Sequence, residues 1–161
     1  MSEHNRLELR AKDPVAQCLI RRLTVPRVYF DANWPLFEHV PADLLLIDRD
    51  GVGDAHLVEI KRTAESALAQ VRTLLKATAP FRCVAFLRGT ADKKTIRRLA
   101  SHEDLYLEGT AGRVGVIEFF EMTNGELGAN ILVSAERFPD AVYDVAMKFS
   151  SSHKANIQFG D

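Results

Sequence analysis

The stretch that most constrains this chain is residues 41–62, PADLLLIDRDGVGDAHLVEIKR. Two aliphatic runs, LLLID and HLVEI, flank a segment holding Asp50, Gly51, Gly53 and Asp54. Glycines and aspartates in that setting mark a tight turn, so the stretch reads as a β-hairpin. Side chains alternate between the faces of a strand, which puts Glu59 and Lys61 on the same side. With the turn centred near Gly51 and Val52, position 43 falls opposite position 60, within one register step. Asp43 then meets the Glu59/Lys61 pair. Two carboxylates and an ammonium converge at the open end of the hairpin.

The rest of the chain changes period around this hairpin. Residues 13–23 read as a short helix, with Asp13 as cap, Pro14 in the first turn, and Val15, Cys18, Leu19 and Leu23 as its apolar stripe. Residues 27–33, RVYFDAN, have the aromatic and β-branched content of a strand. After the hairpin, Thr63 caps a helix to about Ala79, with Ala64, Ala67, Leu68, Val71, Leu74 and Leu75 inward. Pro80 stops it, and FRCVAFLR (81–88) is a buried strand. A strand, helix, strand order favours a parallel crossover. A polar, basic helix over 91–102 follows, then a short strand at 105–109. Strands at 115–122 and 129–138 flank an Asn124-Gly125 turn. A helix beginning at Pro139 and Asp140 and an edge strand at 156–160 close the chain. No repeat or linker divides it. The expectation is one α/β domain over 1–161, with a mixed central sheet flanked by helices and a C-terminal hairpin, helix and edge strand.

Composition narrows the function. No apolar run approaches the roughly 20 residues that span a bilayer, and the opening MSEHNRLELRAKD lacks the apolar core of a signal peptide. Cys18 and Cys83 stand apart without metal-ligand spacing, as buried free thiols suited to a reducing cytoplasm. The net charge of −1 hides an asymmetry: residues 61–98 carry ten lysines and arginines against two acids, Glu65 and Asp92. Such a block suits phosphate binding, and Arg62, Arg72, Lys76, Lys93, Lys94, Arg97 and Arg98 are its candidate contacts. A merely solvated surface is the plainer reading of the same residues.

The order helix, three strands, helix, strand, with Asp43 opening the second strand and Glu59-Ile60-Lys61 ending the third, resembles the PD-(D/E)xK nuclease superfamily. The resemblance covers about residues 13–89 and implies a restriction-endonuclease-like αβββαβ core, with 90–161 as an extension of the same domain. It implies Asp43, Glu59 and the Ile60 carbonyl as ligands of Mg²⁺ or Mn²⁺, and Lys61 as the residue that orients water or stabilises charge. Gln70, on the following helix, matches the first position of a Gln-x-x-x-Tyr pattern whose aromatic is replaced by Leu74. The usual Pro-Asp is Pro41-Ala42-Asp43 here. A helix starting at 13 offers only Asp13 and Gln17 where many members carry Glu, with Glu3 and Glu8 upstream. The implied activity is metal-dependent phosphodiester hydrolysis, on DNA rather than RNA. The protein would act without a membrane, as a homodimer or within a larger complex. The rival is the same fold without catalysis, binding nucleic acid or protein as a regulator, immunity or assembly subunit.

Other residues suggest less. Asp48, Asp50, Gly53 and Glu59 fall at positions one, three, six and twelve of a calcium-loop template, but Val52 breaks it and the flanks read as strands. His39 lies in the loop before Asp43, while His56 alternates away from Glu59. Tyr29 and Trp34 are either base-stacking platforms or core.

Overall fold

The computed structural model describes residues 3–32, 42–50, 54–92, 94–95, 112–139 and 144–158. The first helix, α1 (Glu3–Ile20), starts ten residues before the expected position and runs through Pro14. Proline in a helix interior loses a hydrogen bond and costs about 3 kcal/mol. Burial of Ala11, Val15, Ala16 and Leu19 along one stripe offsets that cost.

A single seven-stranded mixed sheet follows: β1 (Pro26–Ala32), β2 (Ala42–Asp48), β3 (Ala55–Ile60), β4 (Phe81–Leu87), β5 (Gly115–Glu121), β6 (Leu127–Val133) and β7 (Ile157–Gln158). Its spatial order is β6-β5-β4-β3-β2-β1-β7. The β3/β4 and β4/β5 pairs are parallel and the other four antiparallel. Helix α2 (Ala64–Leu74) makes the crossover between β3 and β4, as its period implies. Thr63 caps it by accepting from the Ser66 amide. Helix α3 (Asp144–Ser152) precedes β7.

The sheet separates two cores. One holds Leu45, Ile47, Leu57 and Val84 against Ala67, Leu68, Val71 and Leu74 of α2 and Phe149 of α3. The other packs Leu44, Leu46, Val58, Ala85 and Ile117 under Ala11, Val15 and Leu19 of α1. Tyr29 belongs to the first, edge-on to Phe149 and with its hydroxyl 3.2 Å from Ser150 Oγ, so it is core. Strand β6 ends at Val133 instead of reaching 138. Phe138 leaves the sheet, donates its amide to the Pro80 carbonyl, and stacks under the Arg82 guanidinium. Cys18 and Cys83 are free thiols, pushed up by burial to about 11 and about 12. Among the described residues no helix is long and apolar enough to cross a membrane. The expected strand at 105–109, most of the helix at 91–102, Trp34, His39 and Pro41 lie outside the described residues.

Candidate active site

The β2/β3 register pairs Leu44 with Val58 and Leu45 with Leu57. Carried one step outward it sets Asp43 beside Glu59 rather than Ile60, within the tolerance expected. Ile60 contributes its backbone: its amide donates to Asp43 Oδ2 at 2.6 Å. That bond turns the Asp43 carboxyl toward the end of β3 and ties the two strands together where their ladder stops. The two carboxyls lie close enough to alter each other's proton affinity. Burial pushes Glu59 up to about 8, helped by the Asp43 charge and opposed by Lys61. Burial also raises Asp43, against the Ile60 amide and the Lys61 and Lys12 ammoniums. Glu59 Oε1 is buried and finds no hydrogen-bonding partner among the described residues. Lys61 is half-buried at the start of the turn into α2, its amide donating to the Ala85 carbonyl of β4.

Two further side chains belong to this corner and escaped the sequence reading. Lys12 of α1 is buried, 2.7 Å from each carboxylate oxygen of Asp31 and 5.7 Å from the centre of the Phe30 ring. Asp31 sits between the pairs Phe30/Leu44 and Ala32/Ala42, across from Asp43. Its φ of 51° makes it the sole non-glycine residue in the left-handed region among those described. Such a conformation strains a residue with a Cβ, aspartate less than most. The ion pair with Lys12 holds it there. The early start of α1 also brings Glu8 into the field of Glu59, whose proton affinity it raises. Glu8 stands on the helix as formed, one turn before Lys12, but does not come close enough to Asp43 and Glu59 to make a third ligand with them. A stripe of Leu7, Glu8, Ala11, Lys12, Val15 and Leu19 was the available signal, masked by treating Pro14 as a boundary.

The remaining candidates are scattered. Gln70 is half-buried beside the inward stripe of α2, and among the described residues no hydrogen bond joins it to Asp43 or Glu59. Arg62, Arg72, Lys76 and Lys94 are exposed, Arg72 in the last turn of α2 and Lys76 in the turn that follows it. Lys93, Arg97 and Arg98 lie outside the described residues. Two members of the basic block serve the fold. Arg82 is fully buried and donates to the Ala79 and Leu75 carbonyls, and Arg88 pairs with Glu118. The calcium-loop template fails on geometry. Asp48 accepts the Thr24, Val25 and Asp50 amides at the turn, while Glu59 stands at the far end of β3.

Asp43 and Glu59 offer a hard cation the oxygen donors it prefers, and the unpartnered Glu59 Oε1 is where such a charge would be best received. Among the described residues, no three His, Cys, Asp or Glu side chains come together closely enough to hold a metal ion. Water and substrate oxygens would have to complete the set. No protein-family model matches the chain, and no curated protein matches it.

Proposed function

We propose that this chain is a metal-dependent nuclease with a restriction-endonuclease-like core, hydrolysing phosphodiester bonds in DNA. One observation carries the reading: Asp43 and Glu59, neighbouring carboxyls at one strand end with Lys61 beside them, are both raised in proton affinity by burial, and Glu59 Oε1 is buried without a partner among the described residues. A pair of like charges confined this way is unfavourable unless a proton or a cation joins it. The order α1, β1, β2, β3, α2, β4 around the pair supports the same reading.

Asp43 and Glu59 would hold Mg²⁺ or Mn²⁺, with the Ile60 carbonyl at the same strand end. When bound, the cation lowers the proton affinity of water and offsets phosphate charge. Glu59 keeps its proton more readily than an ordinary carboxyl and would give it up as the cation binds. Lys61 counters the two acids and stabilises charge developing on the phosphate. Lys12 and Asp31 fix the α1 side of the corner. Arg62, Arg72 and Lys76 are exposed cations for the phosphate backbone.

The test is cleavage of linear and supercoiled DNA in Mg²⁺ or Mn²⁺ by the native chain, Glu59→Gln and Lys61→Ala. Calorimetric metal titration runs alongside. Both variants should lose cleavage by at least about a hundredfold, the scale of removing one acid–base group, and Glu59→Gln should lose metal binding as well. Equal cleavage by all three proteins sinks the assignment. The absence of a third ligating side chain among the described residues favours a second reading, a nuclease-like module that binds without cutting. It expects no metal heat and DNA binding unchanged by Glu59→Gln.

A further inference from the structure

Strand β6 closes one side of the sheet with β5 as its neighbour, while the opposite edge is β7, two residues long. Edge strands carry unpaired amides and carbonyls, and are ordinarily guarded by shortness, charge or proline. Shortness guards β7. Strand β6, LGANILV, runs seven residues without a charge or a proline. Among the described residues, no backbone hydrogen bond reaches it beyond its ladder with β5. That ladder is regular from Leu127 to Ile131 and shifts register only past it. Leu132 on β6 and Met122 just past β5 are large apolar side chains left 49% and 39% exposed.

The two ends of this edge carry opposite charge. At the C-terminal end Arg22 donates to Ser134 Oγ at 2.9 Å, a neutral partner that leaves its charge unmatched. Arg21 beside it is exposed and unpaired among the described residues, and both arginines line a groove with Asn130, Ile131 and Leu132. At the N-terminal end Glu126 is exposed, its carboxylate unpaired among the described residues. An edge that is basic at one end and acidic at the other complements itself when turned end for end, which is the condition for a two-fold contact. Alternation of faces allows only registers that pair residues an even number apart. Centred on Asn130, the pairing sets Leu132 of each copy opposite Gly128 of the other, and Ser134 opposite Glu126. The Phe120 ring already lies over Gly128, its Cε2 2.9 Å from where a Cβ would stand, with Met122 Sδ 3.6 Å from the same point. Leu132 of the other copy would cover both. Arg22, held at Ser134, would meet Glu126 of the other copy, once at each end of the contact. A foreign acidic strand would answer the arginines and leave Glu126 unmet; a second copy answers both. We propose that β6 is a dimer interface, pairing antiparallel with β6 of a second copy of this chain about an axis at Asn130 and joining the two sheets into one. The interface does not rest on the nuclease reading.

Sedimentation of the full chain from about 1 to 100 μM covers the range expected of a contact at the small end of specific interfaces. The native chain should pass from monomer to dimer across it. Glu126→Lys and Arg22→Glu each set like charges against one another at both ends, and each should weaken the dimer at least about tenfold. Combined in one chain they exchange the two charges and should restore the dimer to within about threefold of native. A chain that stays monomeric throughout overturns the proposal. So does a dimer indifferent to both single variants, or a double variant no tighter than either. A monomer that instead binds a poly-glutamate peptide through Arg22 gives the edge to a foreign strand and overturns it too. Should the variants fail to fold by circular dichroism, amide hydrogen exchange in the native chain decides. Slowing of the β6 amides with rising protein concentration supports the pairing, and exchange independent of concentration overturns it.

Discussion

Glu59 and His56 are neighbours on one strand with opposite consequences for stability. Glu59 is held at about 8 against an ordinary 4.5, so the folded chain binds its proton more tightly than the unfolded chain does. Its contribution falls as pH rises from about 4.5 and levels off above about 8. His56, at about 4 against 6.5, behaves in reverse: stability is lost as pH falls through that interval. Between pH 4.5 and 6.5 the two slopes oppose one another. Above 6.5 the carboxyl pair stands alone. Urea denaturation should therefore show native stability declining by at most about 2 kcal/mol from pH 6.5 to 8, at most about 1.4 kcal/mol per unit. In Glu59→Gln the decline should flatten, since the amide neither titrates nor repels Asp43. An undiminished slope in the variant would remove Glu59 as its source. If the pair takes a cation as proposed, the same proton must leave, and Mn²⁺ affinity should then rise with pH up to about 8 in calorimetry.

At the scale of elements, α1 decides what the corner contains. Its formation through Pro14 carries Glu8 and Lys12 to the sheet end where β2 and β3 present Asp43 and Glu59. Sequence reasoning stopped at Pro14 because proline opens helices more readily than it interrupts them. It could not weigh the apolar stripe on both sides of the proline against the lost hydrogen bond. Pro14→Ala restores that bond and should stabilise the chain by about 1–3 kcal/mol, part of the proline penalty being returned by a freer unfolded chain. Thermal melts and helical circular dichroism check this; a lower melting temperature would show that Pro14 is needed where it stands. The start of helix α2 was legible by contrast, while its expected run to about Ala79 stops at Leu74, with residues 75–76 in a turn. Its cap, Thr63, and its stripe from Ala64 to Leu74 are purely local signals, and nothing distant contradicts them.

Across the whole molecule, the basic block of residues 61–98 divides by burial. Arg82 is sealed between the end of α2 and the Phe138 ring, and Arg88 is paired with Glu118 across β4 and β5. Arg72 and Lys76 remain on the surface. Charge reversal or removal should separate the two classes. Arg82→Leu leaves buried carbonyls without their donor and should cost about 3 kcal/mol or more in stability. Arg72→Gln and Lys76→Gln should each leave stability within about 0.5 kcal/mol. If DNA is the partner, each should also reduce the slope of log affinity against log salt by about 1. Fluorescence anisotropy at several salt concentrations measures it, and an unchanged slope in both variants would take the C-terminal end of α2 and the turn after it out of any DNA interface.

By itself the sequence determined what is local: the hairpin of LLLID and HLVEI, the capped helix after it, the parallel crossover, and the acid-acid-lysine trio at the hairpin's open end. Those follow from period, turn residues and alternation within some twenty neighbours, and a register error of one step still left Asp43 beside Glu59. The tertiary structure alone decided the rest. Whether α1 survives its proline is settled by the distant strands that bury it, and whether Arg82 is a phosphate contact or a core side chain, and why Asp31 bends into the left-handed region, by partners 56 and 19 residues away, Phe138 for Arg82 and Lys12 for Asp31. Burial against such partners is worth several times a local preference, and it is written in no single stretch of the chain.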